Sequence, residues 1–470
     1  MFSKETYIRR RETLKKTVGS GLILLPGNNE LPYNYPGNTF PFRQDSTFLY
    51  FVGIDEPGLS AVLDCDSGAE YLFGDDLTID DIIWNGATPS MSDKASLSGI
   101  GNARQMKELR GLLSSYKGKI HFINPYQGGI ALLLSDLLNV PASQLKERQS
   151  IELIKAIVSM RIVKDMEEIV EIGKAVVATT KMHLRAMAFV GENWGYGDGA
   201  TERDVVAEIS KVALSKGYYH SFPPIVTMHG EVFHSHGYHN KLEEGGLLLV
   251  DAGAESLEHY AGDMTRTMPV SGKFSTRQRE IYDIVAEANY AVIDNASPRV
   301  TWLDMHNLAA SVIAAGLRDL GLMKGNIDDI VATGAYALFF PHGIGHLMGL
   351  DVHDMENYGE DLVGYNDTVK RSTIFGPNCL RYALDLRENM VLTDEPGIYF
   401  IPQLIDQWRA QGKFADFINY DAVEKYKGFG GIRIEDDIRI TDDGCSAFDC
   451  HLPKAAPDVE DVILRHSIPC

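Results

Sequence analysis

The 470-residue chain, with 44% hydrophobic and 23% charged side chains, is long enough for two or three domains, because a single core stops growing near roughly 250–300 residues. With 65 acidic against 44 basic residues its net charge is −21, which repels nucleic-acid phosphates, and no basic run offsets it. No segment approaches the roughly 18 apolar residues of a membrane span, so neither nucleic acid nor membrane is expected as a partner. The opening residues reach Arg9-Arg10-Arg11 without the apolar core of a secretory signal, and a cytoplasmic location is expected. The five cysteines, Cys65, Cys379, Cys445, Cys450 and Cys470, form no C-x-x-C pair. Neither a disulfide framework nor a thiolate zinc site is suggested, and any metal must sit on oxygen and nitrogen.

In chain order, residues 1–150 read as an α/β unit. A charged opening helix precedes a strand-like run from Gly21 to Leu25, and an aromatic stretch follows from Phe40 to Val52. Between Ile151 and Met187, residues Ile169, Ile172, Val176, Thr180, His183 and Met187 recur at steps of three and four, the period of an amphipathic helix. The domain boundary is placed just before it, leaving 151–470 as a second domain. Thr201 with Asp204, Ser275 with Gln278, and Thr301 with Asp304 each open a helix with a capping-box pattern. Gly217 and Gly321 close the first and third. Each half then delivers strands carrying acidic residues, consistent with a pseudo-duplicated α+β domain.

The residues that carry chemistry lie in those strands. The apolar run Leu247–Val250 ends in Asp251, and alternation in the next run puts Asp263, Thr265 and Thr267 on one face. A buried carboxylate needs compensation, so each aspartate alone reads equally well as an exposed loop residue. Near the C-terminus Ile432, Ile434, Ile438 and Ile440 share one face of a strand, while Arg433, Glu435, Asp437 and Arg439 share the other. That second face, alone, reads as a solvated one. Glu395 follows the strand Met390–Thr393 and is fixed by the turn Pro396-Gly397. His342 and His346 have helical spacing, but Gly343 and Gly345 favour a loop or strand. Taken singly, His346 reads either as a hydrogen-bonding residue or as a ligand. Together, four carboxylates and one imidazole form a hard donor set whose charge of about −4 matches two divalent ions such as manganese, cobalt or zinc. A hydroxide bridging such a pair is a nucleophile at neutral pH.

Five motifs carry a family resemblance: VDAG at Val250–Gly253, AGDMTRT at Ala261–Thr267, HGIGHLMGLDVHD at His342–Asp354, TDEPGIY at Thr393–Tyr399 and RIEDD at Arg433–Asp437. In this order they resemble the aminopeptidase P and prolidase family, and Asn38–Pro57 looks like that family's N-terminal domain. The resemblance implies an α+β protein, with a creatinase-like α/β N-terminal domain followed by a pseudo-twofold pita-bread metallopeptidase domain. It implies two divalent ions, foremost Mn2+, with Co2+ or Zn2+ as alternatives. Asp251 would chelate the first ion, Asp263 and Glu435 would bridge, and His346 and Glu395 would complete the second. Glu395 would also move the proton of the attacking hydroxide. His353 would hydrogen-bond the substrate in the tetrahedral state, His234 and His342 would line the pocket, and Arg433 would orient the carboxylates. The expected activity is hydrolysis of the bond before proline in dipeptides or short peptides, by a homodimer.

Three features depart from the family pattern. The Asp251–Asp263 interval is one residue longer than expected, which is taken up as a bulged hairpin tip. Asp394 replaces a small aliphatic residue before Glu395. His234 lies in a cluster with His236 and His239, and which of the three faces the substrate stays open. Arg381, fourteen residues before Glu395, matches the position where prolidases bind the substrate carboxylate, against a reading as a surface arginine. The long segments after His353 and between Glu395 and Glu435 also look like prolidase. A dipeptidase is therefore favoured, with aminopeptidase P activity as the alternative. An inactive peptide-binding module and a metal-free creatinase-type hydrolase are disfavoured by retention of all five ligands.

Overall fold

Asp165 interrupts the long helix expected between Ile151 and Met187. Its carboxylate accepts from Glu168 N at 3.0 Å while the Glu168 carboxylate accepts from Asp165 N at 2.9 Å, a reciprocal capping pair that starts a new helix. Two helices result, Ile151–Arg161 and Met166–Asn193. The computed structural model describes residues 1–193, 199–448 and 451–466, so Cys450 and Cys470 lie outside the described residues. It divides into two units, one of Met1–Arg161 with Asn357–Leu362, the other of Ile162–Glu356 with Val363–Cys470. The division thus falls at Arg161, after the first of the two helices and not before Ile151.

The first unit is built on a mixed sheet of β1 (Leu22–Pro26), β2 (Ser60–Asp64), β3 (Glu70–Phe73), β4 (Asn102–Arg104) and β5 (Ile120–His121), ordered β4-β3-β2-β1-β5. The strands β1, β2 and β3 run antiparallel, while β5 joins β1 and β4 joins β3 in parallel. Leu22, Leu24, Val62, Phe73, Leu109 and Leu113 form much of its core. The aromatic stretch is a helix, Ser46–Val52, whose seven residues are all buried and whose start is capped by Asp45 accepting from Phe48 N.

The second unit repeats one plan. Helices Met166–Asn193 and Glu202–Leu214 precede β6 (Tyr219–His220), β7 (Ile225–Thr227), β8 (Leu247–Ala252), β9 (Ala254–Glu255) and β10 (Met264–Pro269), of which β10-β8-β7 form a sheet. Helices Thr276–Asn295 and Trp302–Asp319 precede β11 (Val391–Asp394), β12 (Gly397–Tyr399), β13 (Gly431–Arg433), β14 (Asp436–Ile440) and β15 (Cys445–Ala447), of which β11-β14-β15 form the counterpart sheet. All three capping boxes read in the sequence are present. Each helix buries its apolar stripe: Ile169, Ile172, Val176, Thr180, His183 and Met187 are all buried. Among the described residues, no helix is long and apolar enough to cross a membrane.

Candidate active site

The first two carboxylates come from one hairpin. Its strands β8 and β10 pair without a break from Leu247 opposite Pro269 to Ala252 opposite Met264, which sets Asp251 opposite Thr265 and leaves Asp263 just before β10. The long interval between the aspartates closes beyond that register. Glu255 bridges Ala261, Ser256 N donates to Tyr260 O at 2.9 Å, and His259 takes a φ of 65°. The strand flanking Asp251 is buried throughout, so this carboxylate is held at 7% exposure and not in an open loop.

The other ligand candidates come from the second half. Thr393 N donates to His346 O at 2.9 Å and Glu395 N donates to Ile344 O at 2.8 Å, and Leu347 bridges Leu392. The histidine segment is therefore extended against β11, as its glycines require. A Cβ on Gly345 would lie 1.9 Å from Thr393 O, so only glycine fits this approach. The strand expected through Ile432–Ile440 breaks at Ile434 and Glu435 into β13 and β14. Its charged face is not solvated: Arg433, Glu435 and Asp437 are 5%, 2% and 0% exposed. Glu435 N donates to Thr265 O at 3.0 Å, which brings the two halves together at the site.

These elements converge on one cavity of about 430 Å³. Ligand atoms of Asp263, His346 and Glu435 all lie within 4.8 Å of one another. The His346 Nδ1–H donates to Leu347 O, which turns Nε2 toward Asp263 Oδ2 at 3.5 Å and Glu395 Oε1 at 3.9 Å. Asp251 Oδ1 and Asp263 Oδ1 are buried without a hydrogen-bond partner. Buried oxygens left orphaned beside an imidazole lone pair fit divalent cations.

Electrostatics agree with that fit. Burial, followed by the charges of Glu435 and Asp251, raises Asp263 well above the usual carboxylate range, and burial with Glu395 and Asp251 does the same to Glu435. Glu395, whose side chain is 19% exposed, is raised to about 7, chiefly by burial and against the pull of Arg433 and Arg381. Burial lowers His346 well below the ordinary imidazole value and keeps it neutral. Crowded carboxyls prefer protons only until cations replace them.

Arg433 supplies a buried cation that lines the cavity. Its Nη2 reaches Asp251 Oδ2 at 2.5 Å, its Nε donates to Thr265 Oγ1 at 3.1 Å, and its Nη1 donates to Tyr399 OH at 3.0 Å. Tyr399 also meets His342 Nε2 at 2.9 Å, and burial pushes His342 down to about 3. Thr265 completes the cluster by donating to Glu435 Oε2 at 2.7 Å. Asp394 is fully buried with neither carboxyl oxygen partnered. Burial above all raises its pKa, Lys454 opposes, and Asp436 and Glu395 add to the rise.

His353 packs edge-on against His346, with ring centroids 4.4 Å apart, and lines the cavity with Arg381. Arg381 is thus no distant surface arginine. Of the clustered histidines, His234 and His236 line the cavity, whereas His239 turns to Arg203 at 3.2 Å. Phe222, Pro223, Ile225 and Phe233 give the cavity an apolar wall. Sequence reasoning did not single out Tyr399, Thr265 as a carboxylate's donor, or Glu356. The strand alternation of Gly397–Tyr399 was a signal for the tyrosine. For Glu356 there was none. Lys164 was missed too: its Nζ reaches Asp354 Oδ2 at 2.9 Å, both buried, and anchors the residue after His353.

Residues 166–442 match the model of the family described as Metallopeptidase family M24, and residues 7–121 match that described as Aminopeptidase P, N-terminal domain. The chain is 29% identical over 465 residues to the Xaa-Pro dipeptidase of Homo sapiens, covering 96% of this chain and 90% of that one. It is 30% identical over 484 residues to the Xaa-Pro aminopeptidase of Escherichia coli strain K12, covering 98% of each. A zinc-substituted E. coli aminopeptidase P in complex with product superposes with a TM-score of 0.80 at 27% identity, covering 100% of both chains. Two carboxylate-bearing halves closing on one cavity and a family match across most of the second unit lead to the same conclusion: the chain is a metallopeptidase that belongs to family M24, with an aminopeptidase P-type N-terminal domain.

Proposed function

We propose that this metallopeptidase hydrolyses the peptide bond preceding proline, with Asp251, Asp263, His346, Glu395 and Glu435 holding two divalent ions, manganese foremost. The observation that carries the reading is the convergence of Asp263, His346 and Glu435 within 4.8 Å beside buried carboxylate oxygens that have no partner. When bound, the ions supply Lewis acidity, polarising the scissile carbonyl and activating water at neutral pH. Glu395, which borders the cavity as well as the ion site, would take the proton of the attacking water and return it. His353 lines the same cavity and in this reading donates to the carbonyl oxygen as negative charge develops there. Arg433 holds Asp251 in place, and His234 and His342 flank the reacting centre. The apolar wall of Phe222, Pro223, Ile225 and Phe233 suits a compact pyrrolidine ring.

Arg381 in the same wall supports a preference for Xaa-Pro dipeptides, because a guanidinium is a natural partner for the carboxylate of a terminal proline. An Xaa-Pro aminopeptidase is the alternative reading, since the chain is about as similar to the E. coli aminopeptidase as to the human dipeptidase. Comparison of Gly-Pro with Gly-Pro-Ala on manganese-reconstituted protein tests both: a dipeptidase cleaves the first in preference, an aminopeptidase the second, and cleavage of neither overturns the reading. A cytoplasmic homodimer completes the proposal.

A further inference from the structure

Behind His353 and Arg381, outside the cavity wall, lies a carboxylate that the reaction does not use. One oxygen of Glu356 serves two partners: Oε2 lies 2.6 Å from His353 Nδ1 and 3.1 Å from Arg381 Nη1. The chain makes this contact through a costly turn. Met355 is fully buried and takes a φ of 66°, in the left-handed region that side chains avoid, and so folds Glu356 back under His353.

We propose that Glu356 is a positioning and specificity-determining residue, which couples the histidine at the reacting centre to the arginine that meets the substrate carboxylate. The inference rests on the Xaa-Pro reading above. Its first half is orientation. A histidine whose Nδ1–H is donated to a carboxylate has a fixed tautomer and ring plane, which leaves Nε2 facing the cavity. Its second half is competition. A guanidinium already paired with Glu356 attracts a substrate carboxylate less strongly than one with less of its charge countered, so Glu356 limits binding of Xaa-Pro dipeptides and leaves longer peptides unaffected.

Glu356→Ala and Glu356→Gln separate the two roles, since glutamine keeps an acceptor for His353 and removes the charge. In manganese-loaded Glu356→Ala, kcat should fall about tenfold on both Gly-Pro and Gly-Pro-Ala. KM for Gly-Pro alone should fall about threefold, in line with a partly exposed ion pair. Glu356→Gln should show the same KM shift with only part of the kcat loss. Calorimetric binding of free L-proline and of prolinamide supplies a readout independent of turnover. L-proline should bind both variants about threefold more tightly than wild type, while prolinamide, which lacks the carboxylate, should not change. An unchanged proline-to-prolinamide ratio overturns the proposal, as do equal kcat losses in both variants with no KM change on Gly-Pro. Failure of the wild type to cleave either peptide would instead overturn the assigned activity, while the proline comparison still decides the role of Glu356.

Discussion

Arg433 and Asp251 form a 2.5 Å ion pair at the floor of the cavity, the guanidinium 6% and the carboxylate side chain 10% exposed. Burial lowers the Arg433 pKa, and the surrounding carboxylates, Asp251 first among them, more than restore it, so the arginine stays charged. It both neutralises part of a dense carboxylate cluster and fixes the rotamer of Asp251. Arg433→Met breaks this pair and leaves Asp251 uncompensated. Metal-free protein should lose about 3–5 kcal/mol of stability in urea unfolding, and the purified variant should carry less metal.

Loading the cluster with metal must expel protons. Asp263 and Glu435 are raised well above ordinary carboxylates and Glu395 to about 7, so the metal-free site holds protons near pH 6 that unfolded carboxyls have lost. His346 is lowered and already neutral, so it contributes none. Adding manganese to metal-free protein in weak buffer at pH 6 should therefore acidify the solution. Affinity should rise from pH 5.5 to 7.5. Metal binding without proton release would mean that the carboxyls are not the ligands.

His353 touches His346 edge-on but points its own Nδ1 at Glu356, away from the ligand group. His353→Ala should lower kcat by about a hundredfold while metal content, measured by elemental analysis, stays at the wild-type level. Loss of metal in this variant would make it a ligand instead.

Arg381 discriminates between the two specificities. If it clamps the carboxylate of a terminal proline, Arg381→Ala should lower kcat/KM for Gly-Pro by about 1.5–3 kcal/mol. Gly-Pro-Ala, whose charged terminus lies one residue further out, should lose far less. Equal losses on both substrates would assign Arg381 a supporting role in the wall.

Much of the second unit was legible because local chemistry dictated it. Apolar periodicity and the capping pairs Thr201–Asp204, Ser275–Gln278 and Thr301–Asp304 located its helices, and Gly343 with Gly345 ruled out a helical His342–His346 pair. The break at Asp165 was missed because the apolar stripe from Ile169 to Met187 lies wholly beyond it, and only the Asp165–Glu168 pair marks the new start. The face carrying Arg433, Glu435 and Asp437 looked solvated because alternation reports sidedness along one strand. What covers it, Thr265 and the rest of the other half's hairpin, is remote in sequence. Glu356 was invisible for a similar reason: its partnership with Arg381 arises from a turn at Met355 that no local propensity favours.

The central claim, that residues from both halves of the second unit jointly hold two ions, is tested most directly by anomalous diffraction from manganese-soaked crystals. The account predicts two peaks about 3.5–4 Å apart in the cavity, as in other two-metal hydrolases. Asp263 and Glu435 should contact both, Asp251 one, and His346 and Glu395 the other. A single peak, or peaks away from Asp263, His346 and Glu435, would contradict it.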